Sequence, residues 1–211
     1  TAADSHVPEA PLRRLAIALL TMAAGLSMFG GAANAQTDNE GNGVDTVTTP
    51  GGADIAPVDV LQVSGFVDDI LVDEISNAIE RAQNGGAQAL ILQVNSDGTI
   101  VDDDVVAKLL NDIANAPIPI GVWVGPTGSR FYGPAAQILA VADVTGMAPG
   151  ARVGYIGVPL KIPSADIDFG VAEETLRNGS VGLSEARALD IFKQRIDDEG
   201  IPTVTSMLQA M

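Results

Sequence analysis

The sequence predicts an α/β fold in which a mostly parallel sheet, built from repeated βα units, is flanked by helices. Three observations predict it. Two apolar runs of strand length, 89–94 (ALILQV) and 118–124 (IPIGVWV), are almost free of polar residues, as in strands covered on both faces. Apolar residues at helical spacing lie between such runs. The strand–helix order repeats three times, which calls for crossover connections and parallel neighbours. In such folds the working loops lie at the carboxyl ends of the strands.

The first strand is expected over 58–67. Leu71, Ile75, Ala78, Ile79 and Ala82 then mark a helix that stops at Gly85-Gly86, residues suited to a helix end. After the strand at 89–94, a loop over 95–101 (NSDGTIV) is expected. Val105, Val106, Leu109, Leu110 and Ile113 predict a second helix, bounded by Pro117 and Pro119, before the strand at 118–124. A third helix is expected over 129–139, with Ser129 as its N-cap. Short strands follow at 144–147 and 151–158. A loop covers 161–169, a short helix 171–177 and a longer one 183–196, capped by Ser184. A last amphipathic stretch spans 204–211.

Ahead of this domain the chain has the three parts of an export signal in order. Arg13-Arg14 are basic, 15–31 is apolar, and Ala33-Asn34-Ala35 is a small-x-small cleavage site. The expectation is therefore a signal peptide at 1–35, a flexible linker at 36–57 rich in Gly, Asn, Asp, Thr and Pro, and a domain at 58–211. The rival reading is an uncleaved anchor, for which an apolar stretch interrupted by Gly25, Gly30 and Gly31 is short. Cleavage removes two acids (Asp4, Glu9) and two bases (Arg13, Arg14), so the net charge stays at −16. A surface this acidic repels phosphate backbones, which sets nucleic acid aside as a partner. The chain has no cysteine and its one histidine is His6, ahead of the cleavage site. An exported form lacks imidazole and thiolate, so neither a Ser-His-Asp triad nor a cysteine nucleophile is available to it.

Two segments at strand ends carry a resemblance: Asn95-Ser96-Asp97-Gly98-Thr99-Ile100-Val101 and Gly128-Ser129-Arg130-Phe131-Tyr132-Gly133-Pro134-Ala135-Ala136. With Val60-Leu61-Gln62-Val63-Ser64-Gly65, 86–92 (GAQALIL), Pro119, Met147-Ala148-Pro149-Gly150, Val153-Gly154 and Leu183-Ser184-Glu185-Ala186, the ordered set over 58–211 resembles the ClpP/crotonase superfamily. Within it, the set is most similar to the NfeD family of exported, membrane-bound ClpP-class serine proteases. The resemblance implies a Ser-Lys dyad, with the serine at the start of the third helix. It also implies oxyanion donors from the residue after that serine and from a Gly-rich loop after the second strand.

On that pattern the nucleophile position is Gly133, which has no side chain, and the next residue is Pro134, which has no N–H to donate. Gly98 and Thr99 stand where the oxyanion loop has paired glycines. Lys161 is the lysine in the region where the base is expected, against the reading of a solvated loop lysine. Ser129 or Ser96 would be a displaced nucleophile, against a helix cap for Ser129. Asp102-Asp103-Asp104 suit a hard cation or simply a helix start, and Tyr132 an active-site or a packing role.

The expected function is thus an exported, catalytically degenerate ClpP-fold domain that binds a peptide or assembles with membrane proteins. The alternative is an active serine peptidase with a displaced serine; a third is crotonase-like acyl-CoA chemistry, which export and the lack of a basic cluster disfavour. The resemblance also implies a stomatin or band-7 type membrane partner, homo-oligomers and membrane association; the export signal implies an extracytoplasmic location, and neither cofactor nor metal is expected.

Overall fold

The computed structural model describes residues 57–211; the expected signal peptide and all but the last residue of the linker lie outside them. Strand β1 (Val58–Val67) leads into helix α1 (Asp69–Asn84), which starts where Asp68 accepts the Leu71 amide at 2.9 Å. Val72, Ile75, Ala78, Ile79 and Ala82 form its buried face. Strand β2 (Ala89–Thr99) pairs in parallel with β1 over its whole length, with a bulge between Ser64 and Phe66. Helix α2 (Asp103–Ala114) buries Val106, Leu109, Leu110 and Ile113, and places the exposed Asp103 and Asp104 in its first turn, where the helix dipole favours them. Strand β3 (Ile120–Val124) is buried at all five positions, as its unbroken apolar run requires.

After β3 the chain makes β4 (Arg130–Tyr132), a 3-10 turn over Pro134–Gln137 and the single-turn helix α3 (Ile138–Val141). Strands β5 (Val144–Met147) and β6 (Arg152–Gly154), helix α4 (Glu173–Asn178), strand β7 (Ser180–Gly182) and helices α5 (Leu183–Ala188) and α6 (Val204–Ala210) complete it.

The sheet has seven strands, and β2 is its pivot. Along 90–94 it pairs in parallel with β3, which pairs in turn with β5. Beyond that, β2 changes neighbour: Ser96 pairs with Phe131 of β4, which continues to β6 in parallel and to β7 antiparallel. The outer half of β2 therefore projects past β3, and its last residue, Thr99, reaches the chain that leaves β4.

Three expectations are corrected. The loop over 95–101 is strand as far as Thr99, because β1 runs far enough to pair with it through Val67. No helix begins at Ser129: Gly128 and Gly133 have φ of +86° and +87°, and the segment between them is strand β4. The helix expected over 183–196 ends at Ala188, with Gly182 rather than Ser184 at its cap, and Asp190 follows in left-handed conformation at φ +56°.

Helix α6 closes the lower sheet. A Cβ on Gly121 or Gly146 would lie 3.2 or 2.8 Å from Met207, so these glycines form a socket for a side chain that is fully buried. Beside it, Trp123 donates its indole N–H to the Ile201 carbonyl at 2.8 Å. Met207→Ala is expected to cost about 2–4 kcal/mol, and Leu208→Ala, at a more exposed position, under about 1 kcal/mol. Urea unfolding followed by Trp123 fluorescence measures both.

Candidate functional site

The corner where β2 ends against the turn after β4 gathers the positions of interest. Gly133 has φ +87° and ψ 178° and directly precedes the 3-10 turn, with Pro134 at its first position. A Cβ on Gly133 would lie 2.8 Å from both the Thr99 amide nitrogen and Thr99 Oγ1. Thr99 thus fills the space that a side chain at 133 would need. Its Oγ1 also accepts the Ala135 N–H at 3.1 Å, satisfying an orphan amide of the turn.

Other amides of the corner are engaged within the protein. Gly133 N–H donates to the Gly154 carbonyl at 3.2 Å, and Ala136 N–H to the Gly133 carbonyl at 2.9 Å. Pro134 has no N–H to offer. Gly98 N–H faces Ser96 Oγ at 3.4 Å, and that hydroxyl donates back to the Gly98 carbonyl at 3.0 Å. An oxyanion hole needs donors aimed at empty space; these amides are aimed at protein, and the Thr99 nitrogen lies beside the place a Cβ on Gly133 would take.

The segment after β6 is held over the turn by one side chain. Gln137, fully buried, donates its amide to the carbonyls of Ile156 (2.8 Å) and Val158 (3.0 Å) and accepts the Leu160 N–H (2.8 Å). Tyr155 stands at φ +55° with its ring edge-on to Tyr132, centroids 5.2 Å apart. On the other side of Tyr132, Arg130 pairs with Asp97 at 3.0 Å; the hydrogen bond and charge of Asp97 raise the guanidinium pKa above its usual value.

No protein-family model and no curated protein sequence matches the chain. Solved structures do. A membrane-bound stomatin-specific protease, as a mutant in complex with a substrate peptide, aligns with a TM-score of 0.59 at 17% identity, covering 75% of this chain and 81% of that one. A membrane protease specific for a stomatin homologue from Pyrococcus horikoshii aligns at 0.57 and 17% identity, covering 73% and 78%. An enoyl-CoA hydratase/isomerase from Marinobacter aquaeolei aligns at 0.51 and 14% identity, covering 73% and 72%. The chain has the ClpP/crotonase fold.

Within this ClpP/crotonase fold, Gly98, Thr99, Gly133 and Pro134 come together. Ser129, Ser96 and Lys161 do not form a site with one another. Ser129 precedes β4, and four extended residues at ~3.3 Å each separate it from Gly133 by roughly 13 Å of chain. It is buried, and its backbone rather than its side chain makes the hydrogen bonds, to Pro126 and Arg152. Ser96 is fully buried and turned onto Gly98. Lys161 is exposed and lines a separate cavity with Pro159, Ile162 and Asp166. Among the described residues, Lys108 has the one hydrogen-bonded lysine amine, on the Asp112 carboxylate, and no serine hydroxyl meets a lysine.

Sequence reasoning missed two residues: Gln137, a buried amide inside an apolar stretch, and the plugging role of Thr99. The Gln137 signal was present, since a lone amide among Ala, Ile and Leu implies local partners. Gly133→Ser is expected to destabilise the protein by about 1–3 kcal/mol, combining left-handed strain with the approach to Thr99. Adding Thr99→Ala is expected to recover only part of that, as measured by urea unfolding of the single and double variants.

Proposed function

We propose that residues 58–211 form a catalytically degenerate ClpP-fold module that binds an extended peptide or protein segment. The observation that carries this reading is the state of the corner at Gly133. Thr99 takes the space a side chain at 133 would need, Pro134 has no N–H, and the amides of Gly133, Ala135 and Ala136 are engaged, yet the surroundings remain apolar and open. Phe66 (55% exposed) rests on Gly98, and Ile100 (67%) follows Thr99. On the far side, Tyr155 (49%) and Val158 (64%) flank the chain that lies over Pro134. Exposed apolar side chains around a strand end suit a partner that brings its own apolar residues. Strand β1 pairs with β2 alone among the described residues, so its outer edge offers main-chain groups to an added strand.

The similarity to a stomatin-specific protease in complex with a substrate peptide supports a peptide as the ligand class and a stomatin-like membrane protein as its source. In this reading the module is exported through residues 1–35, acts outside the cytoplasm at a membrane and forms homo-oligomers. Nothing in it requires turnover, because main-chain pairing needs no nucleophile.

Two measurements test it. A fluorophosphonate probe is expected to leave the protein unlabelled; labelling that Ser129→Ala or Ser96→Ala abolishes would restore the peptidase reading. Fluorescent peptides tiled along a stomatin sequence are expected to include one that binds uncleaved. Phe66→Asp or Tyr155→Ala should weaken that binding about tenfold, read by anisotropy. Failure of every peptide to bind would overturn the binding role.

A further inference from the structure

Strand β1 has one main-chain edge without a partner among the described residues, since it pairs with β2 alone. Its hydrogen bonds show which groups face outward. The Pro57 carbonyl accepts the Gln88 N–H at one end of the strand and the Val67 carbonyl accepts the Ile100 N–H at the other, both at 2.9 Å. Main-chain groups point to alternate sides along a strand, so the odd-numbered residues face β2 and Val58, Val60, Gln62 and Ser64 present their N–H and C=O groups outward. The register with β2 is regular from Val58 to Ser64, which gives an even edge of about 20 Å. Lysine, proline and bulges commonly keep an edge unpaired; this stretch has no lysine or proline, and its bulge comes only after Ser64.

A cavity of 220 Å³ opens beside this edge, lined by Asp59, Val60, Leu61, Ala78, Arg81 and Leu90. Ala78 and Arg81 belong to α1, so the cavity lies on the face of β1 that this helix covers. A residue added opposite Leu61 would place its side chain on the same face. The volume falls below the ~300–1,000 Å³ range of small-molecule sites and suits a single aliphatic side chain against Leu61, Ala78 and Leu90.

The rim of the cavity carries one negative charge in excess. Arg81 is held by Glu74 at 2.7 Å, and Asp59 has no ion-pair partner among the described residues. Arg81 is also the one base between residues 58 and 107, against ten acids. A field of this sign favours a basic segment at the edge. It disfavours a second copy of the same edge, which would bring its own Asp59 and the same surplus of acids.

We propose that the outer edge of β1 takes an extended segment of a protein partner as an added strand, with an aliphatic residue in the cavity over Leu61 and a lysine or arginine beside Asp59. Side chains two positions apart share a face, so the segment carries the aliphatic and the basic residue at that spacing. The proposal rests on the peptide-binding reading above and gives it a register and a sequence preference.

The test uses the full chain and three fluorescent peptides read by anisotropy. The peptide TKTVTKT carries the motif in either strand direction; TETVTET reverses its charge, and TKTSTKT keeps the charge but removes the aliphatic residue. TKTVTKT is expected to bind at least about tenfold more tightly than either control. Val60→Pro removes an outward N–H that β2 does not use, at an edge position where proline is tolerated, and is expected to abolish binding at an unchanged melting temperature. Asp59→Lys is expected to transfer the preference to TETVTET, a reversal that loss of structure would not produce. Equal binding of the three peptides, unchanged affinity in Val60→Pro, no reversal in Asp59→Lys, or self-association of the chain that Val60→Pro abolishes would each overturn the proposal. If TKTVTKT fails to bind while a stomatin-derived peptide binds, the edge motif falls and the peptide-binding reading stands; if neither binds, both fall.

Discussion

The contact between Thr99 and the turn after β4 ties the two halves of the sheet together at the place where chemistry would be expected. Thr99 ends β2, held from one side by pairing with Val67, and its hydroxyl accepts the Ala135 amide from the other. That hydrogen bond contributes about 0.5–1.5 kcal/mol. Its steric side matters more. Thr99 approaches so closely only because residue 133 has no Cβ, and glycine is also the residue that φ +87° favours. Pro134 fits the first position of the turn, where a missing N–H costs nothing. Gly133, Pro134 and Thr99 thus form a mutually supporting set, and a serine placed at 133 alone is set against its neighbours.

The same turn organises what surrounds it. Gln137 meets three backbone groups of the segment that follows β6, which keeps that segment over Pro134 and directs the chain outward at Lys161. A buried amide making three bonds is costly to lose, since each orphaned group forfeits about 1–3 kcal/mol. The corner is thereby rigid underneath and apolar on top, which is what the proposed binding role requires.

Much of this was legible in the sequence. The helices over 69–84 and 103–114 follow from apolar spacing, because each has one buried face, and the expected limits of β1 and β5 match the strands. The ordered strand-end motifs gave the fold, which the solved structures share despite low identity. What failed to show did so for physical reasons. Ser129 before a row of apolar residues reads as a helix start, but Gly128 and Gly133 take left-handed φ and Arg130, Phe131 and Tyr132 find strand partners in β6. Tertiary pairing overrode local propensity there. Residues 189–196 keep helical apolar spacing, yet bonds to Thr145 hold them out of a helix. The meeting of Gly133 with Thr99 was implied by resemblance, but that a threonine side chain would occupy the space a side chain at 133 needs required the backbone to be seen.

Amide hydrogen exchange at Ala135 tests the central claim most directly. The account predicts that this N–H is protected in the native protein and that Thr99→Val speeds its exchange at least about tenfold, leaving Ala136, bonded to the Gly133 carbonyl, unchanged. Unprotected exchange at Ala135 in the unaltered protein, or no response to Thr99→Val, would contradict the claim that Thr99 is bonded to the turn and fills the space beside Gly133.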